Sequence, residues 1–199
     1  MIKANNLSKS FNGNRIFSSI NLNVKKSTIL GVVGNNGSGK TTLLKIVAGI
    51  INSDTGNINL NANIKLDFLG HENMLYQNFS ISENIDFFSD ISGFRISAES
   101  QDNIEQALGL KNILGKKISE LSYGQRKKAS MLRSLTSAPD LLVLDEPFSN
   151  LDSESADSFI SILKTLKKEN KSVIISSNRK DVVGLVSDDL LNMDDYNEY

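Results

Sequence analysis

Three features of this sequence predict an α/β fold, with a parallel sheet at its core, an antiparallel β subdomain beside it and an inserted α-helical subdomain. Apolar runs of strand length recur at residues 27–33, 140–145 and 172–177 and read as buried parallel strands. Segments with helical spacing separate them, which places helices on the faces of the sheet. The first run leads directly into GNNGSGKTT, residues 34–42, and from there into a helix.

Taken in order, residues 2–26 read as two short strands around the turn Asn12-Gly13-Asn14, with Ile20, Leu22 and Val24 alternating as on a half-buried strand. Phe11, just before the turn, suits either a core aromatic or a platform for a nucleotide base. The Gly-rich loop has the spacing of a P-loop, with Gly34, Gly39, Lys40 and Thr41 at the required places. Gly34, Gly37 and Gly39 let successive backbone N–H groups turn toward one anion, with Asn35, Asn36 and Ser38 completing the cradle. The helix start adds partial positive charge. Lys40 is expected to reach the β- and γ-phosphates, the Thr41 hydroxyl to ligate Mg²⁺, and Thr42 to donate to a phosphate oxygen. Leu43, Leu44, Ile46, Val47 and Ile50 fall on one face of the following helix.

A turn at 52–56 and strands at 57–60 and 64–69 come next. From His71 the texture changes, and Phe79, Ile81, Ile85, Phe87, Phe88, Ile91 and Phe94 make an aromatic-rich stretch. Ser80-Ile81-Ser82-Glu83 reads as a capping box opening a helix near Ser82, and 97–114 as a second helix and its exit. Residues 72–137 are thus a helical insertion within a single domain spanning 1–199. Its aromatic stretch is expected to be mostly core, with exposed positions near Tyr76 and Phe79 for a partner. Leu121-Ser122-Tyr123-Gly124-Gln125 precedes a helix, RKKASMLRSL, whose basic run Arg126-Lys127-Lys128 reads as a solvated face.

Asp145 ends its strand near the P-loop by this topology, where a carboxylate suits Mg²⁺ binding in the Walker-B role. Glu146, adjacent and pointing elsewhere, is assigned to polarising the attacking water. Ala156, Phe159, Ile160, Leu163 and Leu166 mark the next helix, and the acidic tail 194–199 is expected to fray.

Composition narrows the function classes. The formal net charge is −1 and the pI about 5.9, so there is no electrostatic case for nucleic acid. The absence of cysteine excludes disulfides and thiolate metal sites. The first residues, MIKANNLSKSFN, lack an apolar core and are not a secretory signal. No apolar run approaches the roughly 18 residues of a membrane span, so any membrane role is expected to come through a partner.

Together these motifs resemble the ATP-binding cassette (ABC) family. GNNGSGKTT matches its Walker A, LLVLDEP its Walker B, LSYGQ its signature LSGGQ and SNLD its D-loop, in the family's order. The resemblance implies a P-loop NTPase core that binds ATP and Mg²⁺. It also implies a second cassette, homo- or heteromeric, paired head to tail so that Ser122, Gly124 and Gln125 meet the partner's ATP. By the same match Phe11 falls where the family stacks adenine, and Asp152 where the D-loop crosses the dimer interface. FLGHENMLYQNFSISENIDFF is similar to the haem-exporter ATPase of cytochrome c maturation, which implies transmembrane partner subunits at the cytoplasmic side of the cell membrane.

Two positions depart from the family. Its Q-loop glutamine corresponds here to Glu72, beside His71, and is expected at the metal. Its switch histidine corresponds to Asn178, which can hydrogen-bond to phosphate but cannot carry a proton. Slow or partner-dependent hydrolysis is the expected consequence. Two rival readings stand beside a transporter ATPase. One is a non-transport soluble ABC ATPase, against which the lack of a coiled coil or a second cassette counts. The other is a regulatory module that holds ATP without turning it over.

Overall fold

In the computed structural model, which describes residues 1–70 and 74–196, the chain opens with a long hairpin. β1 (Ile2–Phe11) and β2 (Asn14–Val24) pair antiparallel, with φ of 51° at Asn12 and 81° at Gly13. That double positive φ is what a tight two-residue hairpin turn requires. The strands run ten and eleven residues, longer than expected, and register shifts along β1 let the ribbon bend while pairing continues. β3 (Ile29–Val33) then enters the second sheet, and β4 (Thr55–Leu60) returns to the far side of β1, giving the order β2-β1-β4.

The second sheet joins β3 to β5 (Leu66–Leu69), β6 (Leu141–Asp145), β7 (Ser172–Ser177) and β8 (Asp189–Asn192) in the order β5-β6-β7-β3-β8. All four pairings are parallel. β3, β6 and β7 are buried along their whole length, because elements cover both faces. One core fills the space between the antiparallel sheet, α1 (Lys40–Val47) and the parallel sheet, around Phe17, Ile20, Leu43, Leu44 and Val143. The other lies on the opposite face, around Leu132, Leu144, Phe159 and Leu163, under α5 (Ser153–Lys168).

The helical insertion consists of α2 (Ile81–Ser92), α3 (Ala98–Ala107) and α4 (Tyr123–Thr136). α2 starts at the expected capping box. The Glu83 N–H donates to Ser80 Oγ at 3.1 Å, and the Ser80 N–H donates back to Glu83 Oε2 at 2.7 Å. That second bond holds the Glu83 carboxyl below its usual range. Arg133 of α4 pins the insertion to the sheet, with Nη1 at 3.1 Å from both carboxylate oxygens of Asp67 on β5. Among the described residues no helix is long and apolar enough to cross a membrane.

Several expectations need correction. α1 ends at Val47, because Gly49 turns the chain at φ 71°, so Ile50 stands exposed rather than on the helix face. β4 claims Thr55 and Gly56 from the expected turn, and β5 begins at Leu66, two residues later than expected. In the aromatic-rich stretch Tyr76 and Phe79 are exposed, as expected, and Ile81 and Ile85 are core, but Ile91 and Phe94 are exposed rather than core. The rings of Tyr76, Phe79, Phe87 and Phe88 instead cluster on one another at centroid distances of 4.8–6.1 Å. The short helix α6 (Lys180–Gly184) and the edge strand β8 were not expected.

Candidate functional site

β3 delivers the chain to the P-loop, and α1 carries it away. Gly39 sits at φ 89° as the residue before α1, and a Cβ there would lie 2.7 Å from Ile16 and 3.1 Å from Phe17. Only glycine fits a position that is both left-handed and walled in. Gly34, at φ 151°, would place a Cβ 2.6 Å from Ser38 Oγ. Ser38 is itself buried, and its hydroxyl has no hydrogen-bond partner among the described residues. Lys40 is buried across the loop, with Nζ donating to the carbonyls of Gly34 and Asn35 at 2.9 Å each. An orphan hydroxyl, a cradle that a Cβ would fill and an inward ammonium together suit a bound phosphate chain.

Parallel register brings the second half of the site to this loop. Asp145, the last residue of β6, pairs with Ser176 of β7, and Ser177 pairs with Val33 of β3. Thr41 Oγ1 donates to Asp145 Oδ2 at 2.8 Å. Ser176 Oγ donates to Asp145 Oδ1 at 2.7 Å and accepts from the Glu146 N–H at 3.0 Å. Glu146 sits at φ 48°, a strained conformation for a non-glycine residue. Its Oε1 lies 3.8 Å from Lys40 Nζ. Among the described residues no group of three or more His, Asp or Glu could hold a metal alone. The paired hard oxygens of Thr41 and Asp145 fit Mg²⁺, which keeps several waters and takes the rest of its shell from phosphate.

The remaining expected residues divide. Asn178 Nδ2 donates to Asn36 Oδ1 of the P-loop at 3.4 Å, so the switch position does reach the site. Asn36, Glu146, Ser177, Asn178 and Arg179 line one pocket of about 320 Å³. Phe11 lies at the end of β1, 46% exposed, with the Lys9 ammonium 5.1 Å from its ring centroid. Gly37 is exposed at the loop tip with φ 84°, and Thr42 lies in the first turn of α1. Ser122, Gly124 and Gln125 form the start of α4, in a capping box of their own. The Ser122 N–H donates to Gln125 Oε1 at 3.0 Å, and the Gln125 N–H donates to Ser122 Oγ at 3.3 Å. Ser122 is exposed there, and Gly124 faces the Asn150 carbonyl. Asp152 caps α5, accepting from the Ser155 N–H at 2.8 Å, which holds its carboxyl below the usual range. Glu72 and His71 lie outside the described residues.

Three site features escaped the sequence reading. Ser176 joins Asp145 to Glu146, as described. Asp194, placed in a fraying tail, instead belongs to a turn at Met193–Tyr196. Its carboxylate accepts from the Asn35 N–H at 3.0 Å and from Asn35 Nδ2 at 3.2 Å, bracing the P-loop. Lys127, expected on a solvated face, is 0% exposed, and its Nζ has no hydrogen-bond partner among the described residues. Burial pushes its ammonium pKa down, against the opposing pull of the Asp145 and Glu146 carboxylates.

Comparison with known proteins places this geometry. The ABC transporter family model matches residues 17–149. An uncharacterised ABC transporter ATP-binding protein of Methanocaldococcus jannaschii is 34% identical, over 96% of this chain and 72% of its own length. The zinc import ATP-binding protein ZnuC of Wolbachia pipientis is also 34% identical, over 89% of this chain and 73% of its own. In fold, the chain is similar to a dimeric ATP-binding cassette solved in a post-hydrolysis state with ADP and Pi. That likeness has a TM-score of 0.85 at 20% identity and covers 96% of this chain and 94% of that one. A P-loop, a strand-end acid pair and a family match across both identify this chain as an ATP-binding subunit of the ABC transporter family.

Proposed function

We propose that this chain binds Mg-ATP and hydrolyses it to drive export by transmembrane partner subunits, at the cytoplasmic side of the cell membrane. The observation that carries the reading is the Thr41–Asp145 hydrogen bond of 2.8 Å, which joins the two halves of the phosphate site. Lys40 neutralises phosphate charge, and Glu146, held by Ser176, orients the attacking water. Thr41 and Asp145 would hold Mg²⁺, which would supply charge neutralisation to the phosphates. The open start of α4 at Ser122 and Gly124 supports pairing with a second cassette, whose ATP would meet those residues at a helix N-terminus. The dimeric state of the ADP-bound structure supports the same arrangement.

Turnover in this reading is slow or partner-dependent. Asn178 offers an amide where a proton carrier would serve better, and it already touches Asn36. The cargo follows from wording alone. The 68–88 segment supports haem export for cytochrome c biogenesis, whereas a relative at 34% identity is a zinc import ATP-binding protein. Co-purification with polytopic membrane proteins, and their identification, tests the transporter role and the cargo together.

The deciding experiment is the solution mass of Glu146→Gln by light scattering, with and without Mg-ATP. An ATP-dependent dimer supports composite sites within a homodimer. A monomer that still binds ATP means that another cassette or the membrane subunits complete the site. A regulatory module without turnover is the second reading, favoured by Asn178. Steady ATPase activity that Glu146→Gln abolishes excludes it.

A further inference from the structure

The pocket beside the P-loop holds a cation that the hydrolytic scheme above does not use. Arg179 follows the switch position and lines that pocket together with Asn36, Glu146 and Asn178. Its backbone is fixed on both sides. Its N–H donates to the Oγ of buried Ser177 at 3.1 Å and its carbonyl accepts from the Val183 N–H at 3.2 Å, while Asn178 before it is tied to Asn36 at 3.4 Å. Ser177 pairs with Val33, the last residue before the loop, so strand register sets Arg179 at the P-loop's rim. By contrast, the guanidinium is held loosely. Among the described residues it meets the Asp181 carboxylate, two residues on, at 3.3 Å, with side chains 58% and 72% exposed. An exposed pair of this kind contributes little and is readily exchanged for a stronger anion.

The charge balance of the pocket calls for such an exchange. Asp145 and Glu146 bring two carboxylates to a site that is to receive a triphosphate; the buried ammoniums of Lys40 and Lys127 answer those carboxylates and leave the phosphates' own charge to be met at the rim. The neutral Asn178 adds a hydrogen bond and no charge. A guanidinium fork at the rim matches phosphate oxygens in geometry and brings the positive charge that Asn178 lacks.

We infer that Arg179 leaves Asp181 to contact the terminal phosphate of bound ATP, and so lets this chain discriminate ATP from ADP. The inference rests on the nucleotide-binding reading above, and its test does not require turnover. In a Glu146→Gln background, the dissociation constants of Mg-ATP and Mg-ADP are measured by titration calorimetry, with and without Arg179→Met. The expected result is an ATP preference reduced about tenfold, with ADP affinity changed less than about twofold. Asp181→Asn, which frees the guanidinium, leaves the ATP preference equal or greater. An unchanged preference in Arg179→Met overturns the inference, as does a fall in Asp181→Asn equal to that in Arg179→Met, which would make the pair a loop brace. Failure of the hydrolytic reading shows separately, as a parent protein without ATPase activity that still prefers ATP through Arg179.

Discussion

Replacing Ser176 by alanine tests how the site is held together. The Ser176 hydroxyl is fully buried, donates to Asp145 at 2.7 Å and accepts from the Glu146 N–H at 3.0 Å. A hydrogen bond to a charged acceptor is worth about 1.5–3 kcal/mol and a neutral one about 1 kcal/mol. Ser176→Ala removes both and leaves the Glu146 N–H without its acceptor, so the expected loss of stability is roughly 2–4 kcal/mol. The loss also reaches the chemistry, because Glu146 sits at φ 48° and needs an external restraint to stay there. A carboxylate freed to shift by about 1 Å costs on the order of 100-fold in turnover. Urea unfolding measures the first effect and steady-state ATPase the second. Ser172→Ala is the control: it lies on the same strand, also fully buried, and donates to the Lys25 carbonyl at 3.0 Å, remote from these acids. It is expected to lose about 1 kcal/mol with unchanged turnover. The reasoning fails if Ser176→Ala loses under about 0.5 kcal/mol, or if both variants reduce turnover alike.

Lys127→Met replaces a buried ammonium that has no hydrogen-bond partner among the described residues with an apolar chain of similar length, and is expected to raise stability by about 1 kcal/mol or more; a lower urea midpoint would show that the charge is compensated. Asn178→His restores a proton carrier at the switch position and is expected to raise ATPase turnover about tenfold or more, whereas no change or a fall would remove Asn178 as the cause of slow hydrolysis. Asp140 accepts from Lys171 Nζ at 2.9 Å, and chiefly through that bond its carboxyl lies below the usual range. Its folded pKa is depressed, so its stabilisation is complete above the unfolded carboxylate range and is lost as pH falls through the folded value. Asp140→Asn is therefore expected to lower stability at neutral pH and flatten its decline in acid, measured by urea midpoints across pH; parallel curves would refute it.

What could be read from the sequence followed local chemistry. The P-loop, the Ser80 capping box and the bounds of β7 at Ser172–Ser177 each depend on residues within a turn or two, and each stands where it was expected. The misses depend on contacts that sequence distance hides. Asp194 reaches Asn35 across 159 positions, with no local signal in an acidic tail. Ser176 acts through the register of β6 against β7, which a run of apolar residues does not specify. Lys127 is three positions beyond Gly124 on α4, and only the rotation of that packed helix decides that it faces inward while its neighbours do not. The edge strand β8 reads as Asp-Leu-Leu-Asn, half-exposed to exposed along its length, and so lacks the unbroken apolar run that marks β3, β6 and β7.

The brace between Asp194 and Asn35 also has a consequence for the order in which the molecule becomes competent. A chain is made from its N-terminus, so the P-loop leaves the ribosome long before β8 and the turn behind it. Until then the loop lacks both the carboxylate that fixes Asn35 and the buried Met193 beneath it. A nascent chain shortened at residue 188 should therefore carry every recognisable nucleotide motif and still hold ATP poorly. Nucleotide capture is gained only once β8 and the turn behind it are made, so ATP acts on a sheet already assembled rather than as a template for an early one.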